Sequence, residues 1–288
     1  MTELELIFNY YKQKQIEENE LKSSDDYDFN NNYELDFANN LNNAGNKLYY
    51  LLSDLRGFGG FPSVISDEMF KSRDNLGDGK SFVFHGFSEF EHGANYLWDF
   101  YYHYGEGYYG SGLYFTDNFS DAFYYTKNDE GVSKDRVLKA FINSDNFICY
   151  TDLSRLEQCI LNRCLLNEPG EYIPLVKDES EYVSQEQMEK HIELEEKRAV
   201  MFENLIKYLN ENFNEEERHE LVNEIATNPS ILAVYLGFDY MTRKNYHGDE
   251  SNHFVVYNRK IIEVSESEFE KFMDNSGENY KGLRYERK

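Results

Sequence analysis

At 288 residues the chain is long enough to bury a substantial core, as one large domain or two small ones. Hydrophobic and charged fractions of 40% and 29% are those of a globular protein, and 25 Tyr and 22 Phe against 4 Pro argue against extended disorder. A formal net charge of −25 excludes general electrostatic attraction to DNA or RNA, and no Lys/Arg cluster supplies a local basic groove. The charge serves solubility, or a surface complementary to a basic partner.

Leu4 to Glu20 has helical spacing, with Leu4, Ile7, Phe8 and Tyr11 on one face. The segment is acidic and lacks the apolar run of a signal peptide, and no stretch reaches about 18 uninterrupted apolar residues. A cytoplasmic chain without membrane attachment is therefore expected. Ser23 to Asn46, rich in Asp and Asn, reads as a connector or a docked arm. A short helix over Asn46 to Arg56 is closed by the turn-forming GFGGFP, and Ser66-Asp67-Glu68 opens a small helix ending near Arg73. Strand-like runs follow at Ser81–His85 (SFVFH), Leu113–Thr116 (LYFT), Val137–Phe141 (VLKAF) and Phe147–Tyr150. Between them, Ala94 to Tyr104 is helical in spacing, and Asn118 to Thr126 reads as a helix with Ala122 and Tyr125 turned inward. Cys149, Cys159 and Cys164 follow no metal-ligand spacing; three cysteines suit a reducing compartment, as small core residues.

Ser184 to Ile225 is dense in Glu, Lys and Leu, with Ile192, Leu194, Phe202, Leu205, Ile206 and Leu209 at helical intervals. Ser184 with Gln187 has the pattern of a capping box. Two or three amphipathic helices are expected, as an insertion packed against a sheet. Strands return at Phe254–Tyr257 (FVVY) and Lys260–Val264, before a short helix and a polar tail. The domain plan is thus an N-terminal segment over 1–64, a main domain over 65–264 with a helical insertion at about 184–228, and a C-terminal portion over 265–288.

Three segments carry candidate chemistry: FVFHG, with His85 at a strand end; YYGSGLYFTDNFSDAFYY, a glycine turn followed by a strand and a helix; and LGFDY followed by SNHFVVYNRKIIEV. The glycine loop lacks the GxGxxG and Gly-Lys-Ser/Thr fingerprints, and no GxSxG nucleophile signature occurs. In this order the segments resemble the ADP-ribosyltransferase superfamily, in the branch of poly(ADP-ribose) polymerases, diphtheria-type toxins and transferase-like domains of phage and bacterial conflict proteins. Phe84-His85-Gly86 is similar to that branch's His-Gly element. Gly112-Leu113-Tyr114-Phe115-Thr116, with Ala122 and Tyr125, is similar to its Gly-x-Tyr-Phe strand and following helix. Leu236 to Asp239 and Phe254 to Ile261 resemble its terminal portion. The resemblance spans about Ile65 to Val264, least well through the helical stretch.

The resemblance implies an α+β fold, a split antiparallel β-sheet with flanking helices, and NAD as substrate with no metal. Cleaving the nicotinamide–ribose bond passes through an oxocarbenium-like transition state, as in glycoside cleavage. By resemblance, His85 would bond a ribose, the Gly86 backbone would hold the carboxamide, and Tyr114 would stack on nicotinamide with Tyr124 or Tyr125 as second ring. Gly110, Ser111 and Gly112 would let the backbone approach the ligand, alongside Phe115, Thr116 and Ala122. His85 and Tyr114 are expected to face each other across one crevice. His253 stands where the family has a glutamate that favours developing positive charge. Three options stay open: His253 acts, Glu250 acts, or the substrate supplies the base. The implied function is mono-ADP-ribosylation of a macromolecule, protein rather than nucleic acid, in a toxin or phage–host role. An NAD-binding module without transfer and an NAD glycohydrolase are the alternatives.

Overall fold

The computed structural model describes residues 2–9, 12–13, 44–75, 82–90, 93–94, 110–175, 184–244 and 251–275, and every structural statement below concerns these. The expected helix over Ala94 to Tyr104 beyond its first residue, most of the Ser23 to Asn46 tract and the polar tail fall outside them. The architecture is mixed α+β, and the chain divides into two compact units: Met1–Arg56 with Ile148–Gly237, and Gly57–Phe147 with Phe238–Lys288. This differs from a continuous 65–264 domain carrying an insertion. The helical stretch groups instead with the N-terminal segment, and the C-terminal helix Glu266–Asn275 belongs to the sheet-bearing unit.

The strands are β1 (Ser63–Ile65), β2 (Phe82–Gly86), β3 (Leu113–Thr116), β4 (Val137–Ile142), β5 (Phe147–Cys149), β6 (Tyr240–Lys244), β7 (Asn252–Val256) and β8 (Ile262–Ser265). They form an eight-stranded sheet in the order β1-β8-β4-β2-β3-β7-β6-β5. Pairing is antiparallel from β8 through β4, β2, β3 and β7 to β6, whereas β1 lies parallel to β8, so the sheet is mixed. Two strands, β1 and β6, have no counterpart in the sequence reading. Each is short, and β6 (YMTRK) ends in polar residues that hide its alternation.

One face of the sheet is packed by Phe70, Phe82 and Phe141, with Ile65 and Phe84 against them. Phe70 is brought there by the helix Asp67–Ser72, whose N-cap Ser66 accepts from the Met69 amide at 3.3 Å. Each of these rings gains roughly 1.5–3 kcal/mol on burial. Arg73 grips both carboxylate oxygens of Glu263 (2.7 and 2.9 Å), and Asn143 donates to the same group, tying the helix side to β8.

In the helical unit, Leu4, Ile7, Phe8, Leu48, Leu52, Leu205, Ile225, Ile231 and Leu232 share one apolar interior. The expected helices appear as Gln185–Asn212, Glu215–Thr227 and Pro229–Tyr235. Ser184 caps the first, and the reciprocal capping box is at Asn214 and Glu217. Ile192 is 38% exposed, while Glu195 and Arg198 are buried in its place. They form an ion pair in which Glu195 also accepts from the Tyr172 hydroxyl (2.8 Å) and the Leu175 amide, and Arg198 donates to the Leu236 carbonyl (3.0 Å). Charge at core positions broke the periodic signal there. The helix Tyr150–Leu161, continued by a π turn over Asn162–Leu166, was not anticipated.

Candidate functional site

All the sequence-derived site residues that the structure describes lie in the sheet-bearing unit. The sheet is joined at its centre by one residue pair, Phe84↔Thr116 between β2 and β3. On either side the ladders are continuous, Phe82↔Phe141 to Gly86↔Val137 between β2 and β4, and Leu113↔Val256 to Thr116↔His253 between β3 and β7. Beyond the single pair, β2 and β3 share no ladder. His85, Tyr114 and His253, distant in sequence, thereby sit on three consecutive strands around this junction.

His85 bridges the junction through its ring, with Nδ1 bonded to the backbone carbonyl of Tyr114. A carbonyl only accepts, so Nδ1 carries the proton, and the neutral ring presents Nε2 as an acceptor. The imidazole also packs against Phe87 (centroids 4.3 Å apart) and edge-on to Phe115 (6.1 Å). Burial pushes its pKa down to about 4, outweighing the carbonyl bond that favours the charged form. At neutral pH His85 is uncharged.

Tyr114 donates its hydroxyl to the Gly110 carbonyl at 2.5 Å and so closes the glycine turn. That turn needs glycine: Gly110 has φ +88°, and a Cβ on Gly112 would stand 2.6 Å from Val255 Cγ1. The glycines thus permit close packing on β7.

The register corrects one expectation. Cross-strand partners share a face and neighbours alternate, so Phe84, Thr116, Tyr114 and His253 point to one side. His85 and Phe115 point to the other. The rings of His85 and Tyr114 therefore leave the sheet on opposite faces, and their contact runs from imidazole to main chain. One residue past the pair on β2 and two before it on β3 is an odd total offset, and a period of two converts that into opposite sides.

Gly86 meets the helix Phe119–Tyr124 so closely that a Cβ would fall 1.8 Å from the Ala122 carbonyl oxygen. Ala122 is buried there, and Phe119 packs edge-on to Phe84 at 5.6 Å. Tyr125 does not turn inward. It is the C-cap residue, past the last helical turn, and is 64% exposed beside the still more exposed Tyr124. Phe115 is buried in packing, and Thr116 Oγ1 accepts from the Asn118 amide at 3.1 Å, which fixes the turn into the helix.

His253 is half-buried opposite Thr116 on one side and Arg243 on the other. Glu250 lies outside the described residues. Asp117, which sequence reasoning passed over, holds Asn252 beside it: Oδ1 accepts from the Asn252 amide (2.7 Å) and Oδ2 from its side-chain nitrogen (2.6 Å). Its only signal was an acid directly after a strand, which reads as an ordinary turn residue.

Among the described residues no group of three or more His, Cys, Asp or Glu could hold a metal, and no helix is long and apolar enough to cross a membrane. Cys159 and Cys164 are buried and Cys149 is exposed, all three as free thiols. No protein-family model, curated protein or solved structure matches the chain.

Proposed function

We propose that the sheet-bearing unit is an NAD site of the ADP-ribosyltransferase type, and that the chain transfers single ADP-ribose groups to a macromolecule. The observation that carries this reading is the placement of His85, Tyr114 and His253 on the neighbouring strands β2, β3 and β7 around a junction only one pair wide, with Tyr114 and His253 on one face and the His85 ring, on the other, bonded to the Tyr114 carbonyl. In this reading, neutral His85 bonds a ribose hydroxyl and the Gly86 main chain holds the carboxamide. Nicotinamide leaves as positive charge develops on the ribose, and a histidine at 253 supplies no counter-charge. Transfer of one unit rather than chain growth follows from that lack. With a net charge of −25, protein is a better acceptor than nucleic acid. A role in toxin action or phage–host conflict rests on the family resemblance alone.

A second reading, an NAD-binding module without transfer, is favoured by a different observation. The Tyr114 hydroxyl is committed to Gly110 and His85 Nδ1 to the Tyr114 carbonyl, with a histidine where the family has its acid. Incubation with NAD labelled in its adenylate half, with and without cell lysate, separates the readings. Transfer expects label on a target together with nicotinamide release, both lost in His85→Ala and Tyr114→Phe. Binding without release identifies the module, and free ADP-ribose formed without lysate identifies a glycohydrolase. Absence of both binding and release ends the NAD reading.

A further inference from the structure

The geometry points to Asp117 as a positioning residue for His253, acting through Asn252. Three hydrogen bonds join Asp117 to Asn252: the amide and the side-chain nitrogen of Asn252 each donate to one carboxylate oxygen, at 2.7 and 2.6 Å, and the Asp117 amide donates to the Asn252 carbonyl at 3.2 Å. They extend the β3–β7 ladder one residue past Thr116↔His253, at the N-terminal end of β7. A slip of one residue in β7 would exchange the faces of His253 and Phe254. The carboxylate holds that register, because both its oxygens are taken by residue 252, one by the main-chain amide and one by the side-chain nitrogen.

Asp117 does not substitute for the family's acid. Both its oxygens are already engaged by Asn252. Its influence on residue 253 travels through the backbone of residue 252. As a statement about turnover, this role rests on the transferase reading above. As a statement about where β7 is held, it stands by itself.

The experiment is a reciprocal exchange in the full-length protein, comparing Asp117→Ala, Asn252→Ala and the double variant Asp117→Asn/Asn252→Asp. In the double variant an amide oxygen at 117 accepts from the 252 main chain, and its nitrogen donates to the new carboxylate, so every bond is kept while the charge crosses strands. Hydrogen exchange over residues 252–254 and the imidazole NMR signals of His253 are read alongside NAD turnover. Each alanine variant is expected to speed exchange and shift the His253 signals. Turnover falls by about tenfold, the scale of an outer-shell partner's loss, at unchanged KM for NAD. The double variant restores all three readouts.

Unaltered exchange and His253 signals in the alanine variants overturn the proposal, and so does a double variant that behaves like them. Should the intact protein release no nicotinamide, the transferase reading fails separately, and the exchange and NMR arms still decide the role of Asp117.

Discussion

A half-buried imidazole and a buried carboxyl, one in each unit, set opposite pH dependences. His85 has its folded pKa lowered to about 4 from an ordinary 6.5. Between those values the unfolded chain takes up the proton and the folded one does not. The contribution is therefore complete above 6.5 and is lost as pH falls toward 4, up to about 3 kcal/mol. Denaturant midpoints measured from pH 7 to 4 should drop through that window, and the drop should flatten in His85→Gln; an NMR titration placing the His85 midpoint near 6.5 would refute the burial argument. Glu157 behaves in the reverse sense. It is buried on the helix Tyr150–Leu161, Oε1 has no hydrogen-bond partner, and burial pushes its pKa up to about 8. Here the folded state holds the proton that the unfolded state releases, so stability is lost as pH rises from 4.5 to 8. Glu157→Gln keeps the shape and removes the ionisation; at pH 8 it should stabilise the protein by roughly 4 kcal/mol, with little effect at pH 4.5. Equal stability of the two proteins at both pH values would show that the carboxyl is solvated.

At the level of elements, the contact between Gly86 and the helix Phe119–Tyr124 is the tightest near the candidate site. A methyl group at 86 would meet backbone, the Ala122 carbonyl oxygen, and no rotamer change can relieve that. Gly86→Ala should cost about 1–3 kcal/mol as the helix is pushed off β2, read as a lowered unfolding midpoint. An unchanged midpoint would mean that the helix moves aside freely. The elements themselves were largely legible. LYFT became β3 residue for residue, SFVFH fell within one residue of β2, and Ser66 and Ser184 cap the helices they were expected to open. These succeed because strand alternation and capping are local. The sequence hid what depends on distant partners. β1 is a strand only because β8 lies beside it, and the close seat of the helix Phe119–Tyr124 on Gly86 shows only once the two are brought together. The same limit governs the site. That His85 lies on β2 and Tyr114 on β3 was readable, whereas β7 opens two residues before the expected Phe254, and the faces to which His85 and Tyr114 turn depend on the pairing Phe84↔Thr116, which no local pattern encodes.

For the whole molecule, the grouping of Met1–Arg56 with Ile148–Gly237 escaped a linear reading because apolar periodicity shows which face of a helix is buried and says nothing of what buries it. Net charge, by contrast, is a property of the full chain that needs no coordinates. Folding concentrates the −25 charges into a smaller volume than the unfolded chain occupies, so their mutual repulsion opposes the compact state. The ion pairs on the exposed helix surface, such as Lys190–Glu186 and Lys197–Glu193, offset little of this, since water and salt screen each of them. Sodium chloride should therefore stabilise the protein. The screening length shrinks from about 30 Å at 0.01 M to about 8 Å at 0.15 M and about 3 Å at 1 M, so most of the gain should appear below roughly 0.2 M and then level off. Melting temperatures across that series test the point: a rise that plateaus marks screened repulsion, a steady linear rise marks a general salt effect on apolar hydration, and a fall would show that attractive pairs outweigh the repulsion of the surplus carboxylates.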